Sequence, residues 1–257
     1  WRAAGVLLAS GLAQGPARAE SLSERRSDSY YFAHGGITLA GFAATSVMLG
    51  LGKPSAPGLA LFPRFAPDLG VENKFSASAA GLSDRLLVLG IATPIAAQLS
   101  DGFDVRFANA GVVYLEAHSL NALLTTAAKI SVRRPRPYTH SKAPAAIALT
   151  RAQGSDAYLS FFSGHSSTTY TSAMAGAILY SLRTDELRAR HALWGLEFAS
   201  AALTAQLRVR AGRHYRTDVW VGSLVGAGVG LLVRPCTGCR SRACVPRSGP
   251  PVGERRS

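Results

Sequence analysis

Apolar and polar positions along this chain fall into long blocks rather than alternating residue by residue. Apolar stretches run at roughly 36–52, 86–100, 107–128, 166–182, 192–207 and 219–233. Each is rich in Ala and Leu and lacks the two-residue period of a half-buried strand, so each predicts a helix. Between the first two, Pro54, Pro57, Pro63 and Pro67 mix with Arg64, Asp68, Glu72 and Lys74, which marks 53–83 as a connector with at most one short helix. No internal repeat stands out. The expected architecture is all-α: a compact bundle of about six main helices with the functional site at one end. The first three stretches carry none of the candidate site residues and are expected to serve as scaffold.

Several of these stretches are shorter than the ~20 residues that a membrane span needs. The third also contains Glu116, His118 and Asn121, and the fifth contains Glu197. Such residues suit either buried contacts between membrane helices or the polar faces of a soluble bundle. The 257 residues are enough for one substantial domain; 47% are hydrophobic and only 17% charged. That composition suits helices packed closely through small residues, and membrane embedding is the expectation.

The net charge of +13, carried mainly by arginine, raises the question of nucleic acid. Its distribution argues against such a partner. Arg133, Arg134, Arg136, Arg208, Arg210, Arg213 and Arg216 cluster around the candidate site described below, Arg183, Arg188 and Arg190 sit between two apolar stretches, and the rest of the grouped arginines lie in the tail. Few aromatics interleave them, and no nucleic-acid module is visible. Residues 1–19 read as a signal peptide, with Arg2, an apolar Ala3–Leu12 core and Ala17-Arg18-Ala19 as a cleavage site. Residues 20–233 then form the helical domain, and 234–257 a basic flexible tail. Cys236, Cys239 and Cys244 fall in that tail without an evident fourth ligand, so no metal site is expected there.

The chemistry is concentrated in three blocks between 129 and 218. Lys129 opens the run Lys-Ile-Ser-Val-Arg-Arg-Pro-Arg136-Pro137. Ser163-Gly164-His165 follows, and then Arg208, five residues, His214, three residues and Asp218. Lys129, Arg136 and Arg208 are fixed cations of the kind that stabilise a transferring phosphoryl group. An arginine fork can bond two phosphate oxygens at once, and the flanking Pro135 and Pro137 restrain Arg136. Ser163-Gly164-His165 precedes an apolar stretch and so reads as a helix N-terminus, where unpaired N–H groups favour an anion. Gly164 permits close backbone approach and Ser163 offers a hydroxyl. His214 and Asp218 are four apart, a spacing at which a carboxylate can orient an imidazole.

In this order and spacing the blocks resemble the three signature motifs of the type 2 phosphatidic acid phosphatase and vanadium haloperoxidase superfamily: Lys-x6-Arg-Pro, Pro-Ser-Gly-His and Ser-Arg-x5-His-x3-Asp. The resemblance covers roughly 107–233. Phe162 stands where the family has Pro, and Leu207 where it has Ser. The resemblance implies a metal-independent phosphatase that needs no cofactor and hydrolyses a phosphomonoester or pyrophosphate, with a phosphorylated lipid as the expected substrate. It further implies that His214 is the nucleophile and forms a phosphohistidine, that Asp218 orients it, and that His165 protonates the leaving oxygen and later activates water. Lys129, Arg136, Ser163, Gly164 and Arg208 would bind phosphate. Two alternatives stay open: a haloperoxidase that holds vanadate in the same cage, and a non-catalytic envelope protein that binds anionic lipid.

If the stretches span a membrane, all three blocks fall on one side. Arg106, the Arg183–Arg190 loop and the arginine tail fall on the other, as the positive-inside tendency expects. The expected location is a bacterial cell envelope, in the inner membrane with the site toward the periplasm. A cleaved signal followed by six spans would instead put the site inside. Either the N-terminal segment stays uncleaved or 36–52 does not cross, and the sequence leaves both open.

Overall fold

The computed structural model describes residues 22–23, 26–52, 66–72 and 74–232. The expected signal segment, the tail and its three cysteines lie outside the described residues. The described chain contains α1 (Asp28–Leu51), α2 (Ala77–Leu99), α3 (Val105–Val132), α4 (Pro144–Gln153), α5 (Gly164–Ser181), α6 (Leu187–Arg210) and α7 (Arg216–Leu232), with short 3-10 turns at Ala66–Asp68, Pro137–His140 and Gly154–Tyr158. Among the described residues there is no strand, and the expected all-α bundle is what forms.

Six long helices contain the six apolar stretches, but most start earlier than the apolar signal. Their caps explain this. The side chains of Ser27, Ser76 and Asp104 accept from the backbone N–H groups of Tyr30, Ala79 and Phe107, satisfying donors that a helix start would otherwise leave unpaired. Part of the expected connector therefore belongs to α2. The seventh helix, α4, is short and starts on Pro144 at its first position. Ten residues, four of them Ala, give too weak a periodic signal to read in advance.

Helix α5 is the axis of the bundle. It packs against α2, α3, α6 and α7, while α1 lies against α3. Nearly every residue from Ser166 to Ser181 is buried. The approach of α7 to α5 depends on glycine. A Cβ at Gly226 would stand 2.0 Å from the Ser167 carbonyl oxygen, and one at Gly222 would stand 2.6 Å from that of Ser163. This stripe clamps α7 onto the first turn of α5, where His165 stands.

Polar contacts join α3 to its neighbours on both faces. Tyr31 of α1 donates to Asn109 Oδ1 of α3, His34 pairs with Glu116, and Ser119 donates to the Thr38 carbonyl. On the other face of α3, His118 lies 3.2 Å from Ser172 Oγ, and Asn121 donates to Thr168 of α5. Glu197 of α6 is also buried. Phe32, Ile37, Leu39 and Leu51 of α1, by contrast, face outward. Of the two roles open to Glu116, His118 and Asn121, contacts between helices is the one the structure has. By length and apolar composition α1 and α2 are able to cross a membrane.

Candidate active site

The three sequence blocks converge at the end of the bundle where α3 and α6 finish and α2, α5 and α7 begin. Lys129 lies in the last turn of α3, which closes on Arg133 in the left-handed region, and the chain then turns back toward the bundle. The Lys129 amino group sits against Gly164 at the start of α5: a Cβ there would stand 3.3 Å from Nζ. Gly164 is thus small where a cation and backbone N–H groups must share one locus. Ser163 is fully buried, and its hydroxyl caps α5 by accepting from Ser166 N and Ser166 Oγ.

Arg136 is buried and held from behind. Its Nε donates to the Asp156 carbonyl and its Nη2 to Asp156 Oδ2 at 2.8 Å, which leaves Nη1 directed to His214 Nε2 at 3.4 Å. His214, in the turn before α7, is 1% exposed. Its Nδ1 lies 2.9 Å from the Ser160 carbonyl oxygen. Because a carbonyl only accepts, Nδ1 carries the hydrogen and Nε2 presents its lone pair toward Arg136. Burial, and then the positive charges of Arg136, Arg208 and Lys129, push the imidazole well below its ordinary pKa, so it is neutral.

Asp218 does not make the direct bond to His214 that its spacing suggests. Its Oδ2 is 3.8 Å from Nδ1, and the hydrogen bond goes to Ser160 O instead. The carboxylate accepts from Ser160 Oγ at 2.6 Å, from Tyr215 N at 3.0 Å and from Arg134 Nη1 at 2.6 Å. It therefore fixes the two chain segments that carry the imidazole and its acceptor. The reason is local: α7 starts at Arg216, so His214 lies outside the helix and does not share a face with Asp218.

Arg134, grouped by sequence with the phosphate-facing cations, is instead structural. It is sandwiched between Asp218 and Asp68, stacks 3.9 Å over the Tyr215 ring, and is buried. Asp68 itself accepts from Thr217 N and Thr217 Oγ1, which caps α7 from the connector.

Helix α2 begins before the second apolar stretch, and its early turns reach the site. Ser83 and Asp84, which precede that stretch, stand there. Asp84 Oδ1 lies 2.8 Å from His165 Nε2 and accepts from Arg208 Nη1 at 3.0 Å, while Ser83 Oγ accepts from the same Nη1 at 3.1 Å. Arg208 is 5% exposed and its Nε has no partner among the described residues. Sequence reading passed over Asp84, Asp156, Asp68 and Ser160. Only Asp84, a carboxylate at the head of an apolar stretch, carried a signal that could have drawn attention.

A helical end that gathers Lys129, Arg136 and Arg208 around two imidazoles belongs to a protein that handles phosphate or a phosphate-like oxyanion. The chain belongs to the PAP2 superfamily: the family's model matches residues 110–242, just over half of its length. No curated protein and no solved structure shows a significant match. Membership makes phosphoric ester hydrolysis, or the related haloperoxidase-type chemistry, the activity of this class of site.

Proposed function

We propose that the protein is a metal-independent phosphatase that cleaves a lipid phosphate through a phosphohistidine on His214. The observation that carries this reading is the state of that imidazole: neutral, buried, its Nδ1 hydrogen held by Ser160 O and its Nε2 lone pair turned toward the cation cage. Phosphate oxygens bind between Lys129, Arg136 and Arg208 and the N–H groups at the start of α5. Nε2 attacks phosphorus as the bond to the ester oxygen breaks, and His165 delivers a proton to that oxygen. Burial and then the Arg208 charge push the His165 pKa down to about 4, with the Asp84 carboxylate opposing them, so the proton that His165 delivers is held there by Asp84 and by the negative charge of the bound phosphate. Water then attacks the phosphohistidine, gives a proton to His165, and releases inorganic phosphate as the P–N bond breaks.

The lipid part of the reading is supported by polar contacts that join α1 to α3 while α1 turns large apolar side chains outward. The same contacts support a topology. Tyr31 pairs with Asn109 near the starts of α1 and α3, and Gly52 meets Ile130 near their ends, so the two helices run in parallel over similar lengths. This favours α1 as a crossing helix. Asp28 and the Arg183–Arg190 loop then lie on the cytoplasmic side, with the site facing the periplasm.

The test is phosphate release from phosphatidic acid, an isoprenyl diphosphate, lipid A and a soluble aryl phosphate, with EDTA present and His214→Ala as control. Release that survives EDTA and vanishes in the variant supports the proposal, and the preferred substrate decides whether lipid matters. Release that needs added metal, or persists in the variant, refutes it.

A further inference from the structure

Tyr138 follows Arg136 and Pro137 in the 3-10 turn Pro137–His140 and is fully buried. Its backbone N–H donates at 3.0 Å to the carbonyl of Gly212, two residues before His214. The residue is therefore fixed between the two segments that deliver Arg136 and His214 to the site. Its ring packs with Ala146 of α4 and with Ala157, and Phe75 and Leu149 pack against the same cluster. The Arg213 guanidinium lies 5.4 Å from the ring centre.

Phenylalanine would fill this place equally well, since neither the packing nor the arginine contact uses the hydroxyl. Yet the chain carries a hydroxyl there, and the buried Oη has no hydrogen-bond partner among the described residues. An unpaired buried hydroxyl destabilises a fold, so such groups are as a rule bonded. Arg208 Nε, a donor of the cation cage, is in the same condition. Two orphaned donors at one end of the bundle lack the same thing, an acceptor.

The charged groups that bear on the phenol are Arg136, Arg213, Asp156 and Arg208. The one carboxylate among them is turned to Arg136 Nη2. Burial raises the pKa of the phenol, with the arginines opposing, so the hydroxyl keeps its hydrogen at neutral pH and serves as a donor.

We infer that Tyr138 is a substrate-binding residue: its Oη donates a hydrogen bond to an oxygen of the phosphoryl group that Arg136 and Arg208 hold. The inference rests on the phosphatase reading above for its substrate. The phenol adds a donor to the cage without adding charge. Its hydrogen stays on Oη while His214 attacks phosphorus and His165 serves the leaving oxygen.

The test is Tyr138→Phe, which deletes Oη and keeps the ring. With p-nitrophenyl phosphate and with phosphatidic acid, kcat/KM should fall by about 10- to 100-fold on both, because a bond to the phosphoryl group does not depend on the leaving group. Inorganic phosphate, titrated by calorimetry, should bind the variant more weakly than wild type. The variant's Tm without ligand should equal or exceed the wild-type value, since an unpaired hydroxyl has been removed. Unchanged kcat/KM and phosphate affinity overturn the inference, as does a loss confined to one of the two substrates. A clear fall in Tm overturns it too, because Oη would then be bonded within the protein. If wild type hydrolyses neither substrate, the phosphatase reading falls. The phosphate titration needs no turnover, and equal affinities of wild type and variant would then overturn the role of Tyr138 as well.

Discussion

His214 stays neutral because burial and the neighbouring cations oppose its second proton together. The sign of the consequence is fixed. Between the depressed folded pKa and the ordinary 6.5, the unfolded chain binds a proton at this position that the folded chain does not. Stability from this group is therefore full above about pH 6.5 and falls as pH drops, by up to about 1.4 kcal/mol per pH unit. Melting curves from pH 7.5 to 5 should show a shallower loss in His214→Gln than in wild type; parallel curves would contradict the assignment. Asp218 makes a different prediction. With Ser160 O holding Nδ1–H, Asp218→Asn should slow turnover by on the order of 100-fold, less than the loss of a directly bonded carboxylate. It should also leave Arg134 with Asp68 as its single carboxylate partner, destabilising the fold by as much as roughly 3–5 kcal/mol. A slowed enzyme with an unchanged Tm would mean that Asp218 acts on the chemistry alone.

At the scale of the helices, the α5–α7 contact ties packing to the site. Gly222 lies against the carbonyl of Ser163, the cap of the helix that carries His165, whereas Gly228 has open space around it. Gly222→Ala should cost about 1–3 kcal/mol by overpacking and lower kcat as the start of α5 shifts. Gly228→Ala should leave both Tm and kcat near wild type. Equal behaviour of the two variants would disprove the coupling.

The long helices were legible because their apolar runs exceed what loops carry, and the block spacing made Lys129, Arg136, His165, Arg208 and His214 legible as one set. Their supports were not. Asp156 holds Arg136 from an irregular turn, Asp68 reaches Arg134 from a proline-rich connector, and Ser160 acts on His214 through its backbone carbonyl, an atom every residue has. Such partners are chosen by tertiary approach rather than by spacing. The actual role of Arg134 was hidden for the same reason, since charge in a motif does not say which way a guanidinium points.

For the whole molecule, polar contacts join α1 to α3 while α1 turns large apolar side chains outward, and α1 and α2 are long and apolar enough to cross a membrane, which is the basis of the lipid reading proposed above. The protein should sediment with membranes, resist alkaline carbonate washing, and come into solution only with detergent. A monodisperse, detergent-free monomer in aqueous buffer would remove the basis for a lipid substrate while leaving the chemistry of the site intact. The site would then be open to soluble phosphate esters.

In the proposed reaction His214 is the residue that carries the phosphoryl group. That role is tested most directly by quenching turnover of a terminally ³²P-labelled substrate in alkali with EDTA present, then mapping the labelled peptide. An alkali-stable, acid-labile label is expected on the peptide containing His214, and none in His214→Ala. Label on another residue, or turnover by His214→Ala without any label, would contradict it.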